Sequence, residues 1–588
     1  MRCKLMIVNV LVFFILSGDV LSEERLLLAG GSLPICSSVT PHQCENPDQL
    51  DARAYQQARY RLDQASLQRL QQHPDADLQR LALLAIELVD DQQQPRVLDR
   101  GELIRALEAV YLSRTGRNIS ALVERYGLHS YQARFPDDPA VLNGQALLDG
   151  LSDARFSAAL SLLEDGPAAG QTRAMEQVRL NESKNSDSVA VMQRFFSMAQ
   201  ARIESQTDQA VRIVFSTASS HDSFEAVDFY QQLFEQLGAQ AEWLPLDRSV
   251  AKARAEGRCH ELELVRAELT GLQRRDEVYP DLAERQQRFC GDSQAAIRLI
   301  ESAHGLFFNG GDQSFTRAAW FDGEHASAEL QLLRQRFVDG EIAVGGTSAG
   351  TAVQAAVSTA MISNGGARQA LFKPAVAGPP PAPGCARDNS CGDLDAEQMS
   401  YQPDGGLGLF DHGLIDTHFS ERVRELRMLM LAAQTGQSQA WGVDETTALV
   451  VAGEGPVAVV GAAGAWQLYG DSAPAMHVVQ NVCQVGPARV HFHAAGRLDA
   501  VTALSSSAPP EACFKADAGF DLGEVDELRQ PVQRWVNDPQ APDHLIANVT
   551  ANGQTARLCW HRDQHTKAES DGYRHLNLTA ILDDPGMC

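Results

Sequence analysis

Ile342-Ala-Val-Gly-Gly-Thr-Ser-Ala-Gly-Thr351 is the stretch whose reading decides the fold. Its apolar start, 342–344, reads as a buried strand. Gly346-Thr-Ser-Ala-Gly350 is a G-x-S-x-G string, and 351–357 is compatible with a helix. A strand that turns sharply into a helix at a serine is a nucleophile elbow. The glycines two residues to either side carry no Cβ, so the chain can fold tightly and hold Ser348 in a strained conformation. Its Oγ then stands at the carboxyl end of a strand, where open α/β sheets place ligands. Backbone N–H groups at the start of the next helix face the same point and can stabilise an oxyanion.

Outward from the elbow, strands and helices alternate. Arg25-Leu-Leu-Leu-Ala-Gly-Gly31 reads as a first buried strand ending in a glycine turn. Strands are expected over 211–216, 241–245 and 305–308, with helices over 189–203, 224–237 and 328–337 between them. Past the elbow, 363–401 is rich in Gly, Pro and Ala and reads as a loop. Ile415-Asp-Thr-His-Phe419 ends another apolar strand, and Ser420 is placed to cap a helix through 433. Closing strands are expected over 441–451 and 457–460. This alternation predicts an α/β fold with a doubly wound, mostly parallel sheet.

At 588 residues the chain is too long for one core. Residues 1–22 read as a secretory signal: Arg2 and Lys4 precede the apolar run 5–16, with a cut expected after Ser22. Residues 23–45 hold the first strand and a loop flanked by Cys36 and Cys44. Residues 46–186 read as an α-helical insert, with Leu78, Leu81, Leu84 and Leu88 at helical spacing. Residues 187–478 complete the α/β domain. Residues 479–588, with paired cysteines and short β-like runs, read as a small β-rich, disulfide-stapled extension.

Lys+Arg 50 against Asp+Glu 76 leaves a net charge of −26, which argues against a nucleic-acid partner. After the signal, no segment approaches the roughly 20 apolar residues of a membrane span. A soluble protein, secreted or periplasmic, is expected. Ten cysteines follow the signal, and export favours disulfides between them. Sequential pairing predicts Cys36–Cys44, Cys259–Cys290, Cys385–Cys391, Cys483–Cys513 and Cys559–Cys588. No C-x₂-C zinc spacing occurs, and neither a metal nor a cofactor is called for.

A serine needs a base, and His418 is the best placed of sixteen histidines, at the end of a strand downstream in the same sheet. Arg422, Arg424 and Arg427 follow it on the expected helix, where they can clamp a substrate carboxylate. The loop Asn309-Gly-Gly-Asp-Gln313 ends the strand before the elbow. Its glycines let N–H groups approach an oxyanion, and Gln313 can orient substrate.

Phe307-Phe-Asn-Gly-Gly-Asp-Gln313, Gly345-Gly-Thr-Ser-Ala-Gly350, the I-D-T-H-F-x-x-R-x-R-x-x-R string over 415–427 and Gly442-Val-Asp-Glu-Thr-Thr-Ala448 resemble, in order, the motif set of cyanophycinases. That resemblance covers roughly 25–31 and 187–460. It implies a flavodoxin-like fold related to class I glutamine amidotransferases. It also implies hydrolysis of cyanophycin, a poly-aspartate chain with arginine on each side-chain carboxylate, to β-aspartyl-arginine dipeptides. Carried over by motif, Ser348 is the nucleophile and His418 the base. Ala349 and Gly311 supply oxyanion N–H groups, and Gln313, Asp416, Arg422, Arg424 and Arg427 shape the substrate site. A peptide or polymer partner follows, and a homodimer is compatible with this reading. Two departures stand out. Thr417 replaces the family's usual Gln before the histidine. The acidic triad partner, expected fifteen to twenty residues after the nucleophile, is missing from 363–369, which leaves Asp393, Asp395 or Glu397 as alternatives. Two rival readings remain: a peptidase for other aspartyl or isoaspartyl peptides, and a non-catalytic polymer-binding homologue.

Overall fold

The computed structural model describes residues 24–50, 59–89, 95–113, 141–168, 170–203, 209–381, 385–388, 390–498, 504–515, 520–521, 527–551, 554–569 and 571–588. The expected signal, 1–22, and residues 114–140 of the insert lie outside the described residues.

The main sheet is built from β1 (Glu24–Ala29), β2 (Arg212–Ser216), β3 (Gln240–Leu244), β4 (Gly305–Phe308) and β5 (Ala343–Thr347). It continues through β6 (Leu414–Thr417), β7 (Gln439–Val443), β8 (Thr447–Ala452), β9 (Gly455–Tyr469) and β10 (Val482–Arg497). It closes with β11 (His544–Ala551), β12 (Gln554–His561) and β13 (Tyr573–Leu582). The first five pair in parallel in the order β3-β2-β4-β5-β1. Near-continuous apolar runs such as Gly305–Phe308 suit a parallel sheet covered on both faces. Alternate residues feed opposite cores: Leu26, Leu28, Val214, Leu306, Phe308 and Val344 enter one, and Leu27, Ile213, Phe215, Phe307 and Ala343 the other.

The sheet is mixed rather than parallel throughout. β8 lies antiparallel to β1, and β9, β10, β13, β12 and β11 follow as antiparallel neighbours. β6 joins through β7, which pairs with the far half of β9. The C-terminal region therefore extends the same sheet. Its Val490, Leu578 and Trp535 share a core with Leu426 and Met430 of the helix Glu425–Thr435.

Two disulfide expectations are corrected. The bridges are Cys36–Cys44, Cys259–Cys290 and Cys385–Cys391 as expected, but then Cys483–Cys588 and Cys513–Cys559. The cause is strand order. β13 pairs with β10 with Leu582 opposite Cys483, which returns the last residues to Cys483. Cys559 lies on β12, one strand further out, where the short turn Glu511–Phe514 packs Cys513 against it.

Two local expectations also change. The helix after the elbow is a single turn, Ala349–Ala352, because Leu407, Leu409 and Phe410 donate to the carbonyls of Val353 and Gln354. The 363–401 loop carries two short strands, Val376–Ala377 and Ser400–Gln402, which form a small sheet with Met361–Asn364. The described part of the insert is mostly helical, with Leu78, Leu81 and Leu84 packed on Leu67, Leu103 and Leu163, but it also carries two short antiparallel pairs, Tyr60–Leu62 with Arg96–Leu98 and Tyr111–Ser113 with Val141–Asn143. Its helices start at side-chain caps such as Asp63, Asp99 and Ser152.

Candidate active site

β5 runs into Ser348 with φ 53° and ψ −116°, a conformation costly for any residue with a side chain. The turn survives because its neighbours are glycines. A Cβ on Gly346 would strike the Gly350 carbonyl, and one on Gly350 would strike the carbonyl of Phe308. The Ser348 N–H donates to the Ala29 carbonyl at 3.0 Å, which ties the elbow to the end of β1.

β6 ends at His418, which also has a positive φ, of 47°. Its N–H donates to the Gly30 carbonyl at 2.8 Å. The imidazole lies against Gly31 (φ 114°), where a Cβ would occupy the ring's space. The Ser348 hydroxyl meets His418 Nε2 at 2.7 Å, and His418 Nδ1 meets Glu445 Oε1 at 2.6 Å. With Nδ1 protonated, the ring donates to the carboxylate and accepts from the serine. Ser348, His418 and Glu445 thus form the chain of contacts that a serine nucleophile requires.

Glu445 is the residue that sequence reasoning missed. It occupies the connection from β7 to β8, inside the Gly442–Ala448 motif, and β7 pairs in parallel with β6. The signal was a carboxylate just past a strand end. Of the alternatives, Asp395 pairs with Lys373 and the Glu397 carboxylate lies beside Gly366, while His418 Nδ1 is met by Glu445 instead. Asp393 makes no contact with the histidine.

Burial pushes the His418 imidazole below its ordinary value. The Glu445 hydrogen bond opposes that shift, and Arg422 and Arg424 reinforce it. The ring is therefore neutral at neutral pH, as a proton acceptor must be. Burial would raise the Glu445 carboxyl, but hydrogen bonds from His418 and Ser32 hold it below the usual range.

The expected placement of the three arginines is corrected. The three arginines do not share one helix. Ser420–Arg422 is a single tight turn, Val423 is left-handed (φ 53°), and the helix begins at Glu425. Ser420 therefore lies in that turn and does not cap the helix. Arg427 grips Asp416 with two hydrogen bonds of 2.7 Å, and Arg424 adds a third of 3.0 Å. Asp416 is 2 % exposed. Burial alone would raise its carboxyl, but Arg427 and Arg424 hold it below the ordinary range. Burial, with Arg427, pushes Arg424 down to about 9. Asp416, Arg424 and Arg427 form an internal ion cluster beneath His418, and only Arg422 is exposed.

Gln313 likewise has other partners: its amide donates to the carbonyls of Ile362 and Ser363. Gly310 is the glycine that faces the elbow. A Cβ there would lie 3.4 Å from Ser348 Cβ, whereas one on Gly311 would strike the Ser219 carbonyl. Ala349 opens the helical turn, where N–H groups have no intrahelical acceptor. The cavity at Ser348 measures about 330 Å³. Its walls include Leu33, Ile35, Met192, Phe229 and Leu233, with the Tyr230 ring also on the lining.

The C-terminal region touches this machinery. Arg529 pairs with Asp444 at 3.3 Å, one residue before Glu445, and Asp444 also accepts the Ser420 N–H at 2.9 Å.

No family model matches the chain. It is similar to the cyanophycinases of Trichormus variabilis and of Nostoc sp., each 29% identical over 181 residues, which is 31% of this chain and 49% of theirs. The Synechococcus elongatus cyanophycinase is 26% identical over 170 residues, 29% of this chain and 43% of that protein. The matched stretch thus spans about half the length of these curated relatives. Among solved structures, a peptidase from an acI-B1 Actinobacterium aligns with 17% identity and a TM-score of 0.29, covering 48% of this chain and 90% of that one.

Proposed function

We propose that this cyanophycinase-like chain is an exported serine-type exopeptidase that releases β-aspartyl-arginine dipeptides from cyanophycin. The observation that carries the proposal is the continuous contact chain Ser348–His418–Glu445 at a strained elbow. His418 takes the hydroxyl proton as Ser348 Oγ attacks the β-aspartyl carbonyl, and the tetrahedral oxyanion forms against the N–H groups of Ala349 and of the Gly310–Gly311 turn. Collapse passes the proton from His418 to the departing amine and leaves an acyl-enzyme. Water, deprotonated by His418, then releases the acid and restores Ser348. Glu445 keeps the imidazole oriented and balances its charge while it holds the proton.

Five disulfides among the described residues support export. Homologues named cyanophycinase support the substrate class.

A second reading, a peptidase for other aspartyl or isoaspartyl peptides, is favoured by one feature. Gln313, Arg424 and Arg427, which the resemblance assigns to substrate, are held by protein partners instead. Product analysis of a cyanophycin digest separates the readings: β-aspartyl-arginine is expected from the wild type, and α-aspartyl dipeptide cleavage without it decides for the second. Ser348→Ala is expected to lower kcat by about 10⁴-fold or more and to abolish labelling by a serine-directed fluorophosphonate. A wild-type protein that binds polymer yet is neither labelled nor active would instead be a binding homologue.

A further inference from the structure

Beyond the Gly310–Gly311 turn lies a second, larger cavity of about 850 Å³. The helical insert contributes Glu108, Asp149 and Glu164 to it, and the sheet edge contributes Ser219, Gly311 and Asp312. Ser220 and Gly310 line the smaller Ser348 cavity, while their chain neighbours Ser219 and Gly311 line the larger one. The two hollows therefore share two turns as their dividing wall.

Two charged side chains on the larger cavity have no ion-pair partner among the described residues: Glu225, which is solvent-exposed, and Arg248, which is half-buried. Glu164 and Asp222 both pair with Arg275. The Glu225 carboxylate stands beside this trio with no hydrogen bond or ion pair among the described residues, while its N–H donates to the Asp222 carbonyl. Three carboxylates around one guanidinium leave an excess of negative charge, offset in part by Arg100. Arg248 lines the same cavity beside Asp312, its guanidinium 3.5 Å above the Phe315 ring. That guanidinium too makes no hydrogen bond or ion pair among the described residues. A guanidinium stacked on an aromatic face keeps its N–H edge available for a carboxylate.

We infer that this insert-roofed cavity holds the part of the peptide substrate that extends past the scissile bond, with Glu225 pairing with a side-chain guanidinium and Arg248 with a carboxylate. The inference rests on the reading of Ser348 as a peptidase nucleophile. It explains two facts at once: an unpaired charge of each sign faces one hollow, and two of the three arginines after His418, Arg424 and Arg427, are occupied by Asp416. Loss of solvent on its cavity side, together with Asp222 and Glu164, pushes the Glu225 carboxyl up to about 7, although the residue remains solvent-exposed. A bound cation favours the ionised form, so its affinity rises as pH climbs from about 6 to about 8 and the empty carboxyl gives up its proton.

The test uses the full chain. Calorimetry at pH about 6 and about 8 measures L-arginine, agmatine (no carboxylate) and L-citrulline (no positive side chain) on the Ser348→Ala protein. L-arginine is expected to bind more tightly at the higher pH, and L-citrulline to bind at least about tenfold more weakly. Adding Glu225→Gln removes the pH dependence, and adding Arg248→Gln weakens L-arginine but not agmatine. In otherwise wild-type protein each substitution raises KM by about tenfold while kcat changes less than about threefold. Circular dichroism and the thermal midpoint show that the variants are folded. Equal binding of L-arginine and L-citrulline, or KM within about twofold of wild type in both variants, overturns the inference. Fluorophosphonate labelling separates the two failures. A labelled, active enzyme with unchanged KM in the variants sinks this inference alone. An unlabelled, inactive wild type sinks the peptidase reading, and calorimetry still decides whether the cavity binds.

Discussion

Ser348 and His418 both sit at positive φ, and neither strain persists without surroundings that enforce it. For Ser348 the enforcement is the Ala29 carbonyl and the two crowded glycines; for His418 it is the Gly30 carbonyl and the bare face of Gly31. The imidazole has its ordinary value lowered by burial, so the acid limb of kcat/KM should have its midpoint below about 6.5. The sign follows from the proposed base role: activity needs the neutral ring and is lost as pH falls through the lowered value. Because the Glu445 hydrogen bond raises His418 toward its ordinary value, Glu445→Gln should move that limb to still lower pH while cutting kcat by about 10³-fold. Arg422 acts in the opposite sense, so Arg422→Gln should move the limb upward. A pH–rate profile of both variants checks the pair, and shifts of the same sign would contradict it.

At the scale of elements, the unit that matters is β6, the tight turn at Ser420–Arg422 and the helix Glu425–Thr435. A buried Asp416 on the strand draws Arg424 and Arg427 inward and so fixes where the helix begins. Breaking such a cluster leaves two buried guanidinium groups without their shared carboxylate. Asp416→Asn should therefore cost about 3–5 kcal/mol of stability, read by urea denaturation. A substrate-contact role alone predicts a raised KM with an unchanged urea midpoint. The motif spacing of the arginines was legible, but their partner was not. Sequence shows three cations after a histidine, and only the fold shows a carboxylate already between two of them.

Across the whole molecule, one sheet runs from β3 to β11, and the C-terminal strands are part of it. The Cys483–Cys588 bridge closes a loop with a sequence separation of 105, so it restricts the unfolded chain strongly. Replacing both cysteines by serine should lower stability by about 4 kcal/mol, seen as a lower thermal midpoint. The shared core of Val490, Leu578 and Leu426 ties that loss to the helix behind His418. The same variant should therefore lose peptidase activity at a lower temperature than wild type. Activity that outlasts unfolding of the C-terminal strands would show that they are dispensable.

Apolar runs such as 305–308 and the crowded glycines of 345–350 declare themselves locally, because burial on both faces and a tight turn each impose a residue type on their own positions. From them the parallel half of the sheet, the elbow and the pairing of Ser348 with His418 were legible. Partners distant in the chain were not, because an ion pair, a disulfide or an antiparallel neighbour depends on which strand ends meet. Tertiary structure alone decided that Glu445 serves the histidine, that Asp416 holds Arg424 and Arg427, and that Cys483 reaches the chain's last residue. Each is a choice among chemically equivalent side chains, and only position in space separates them.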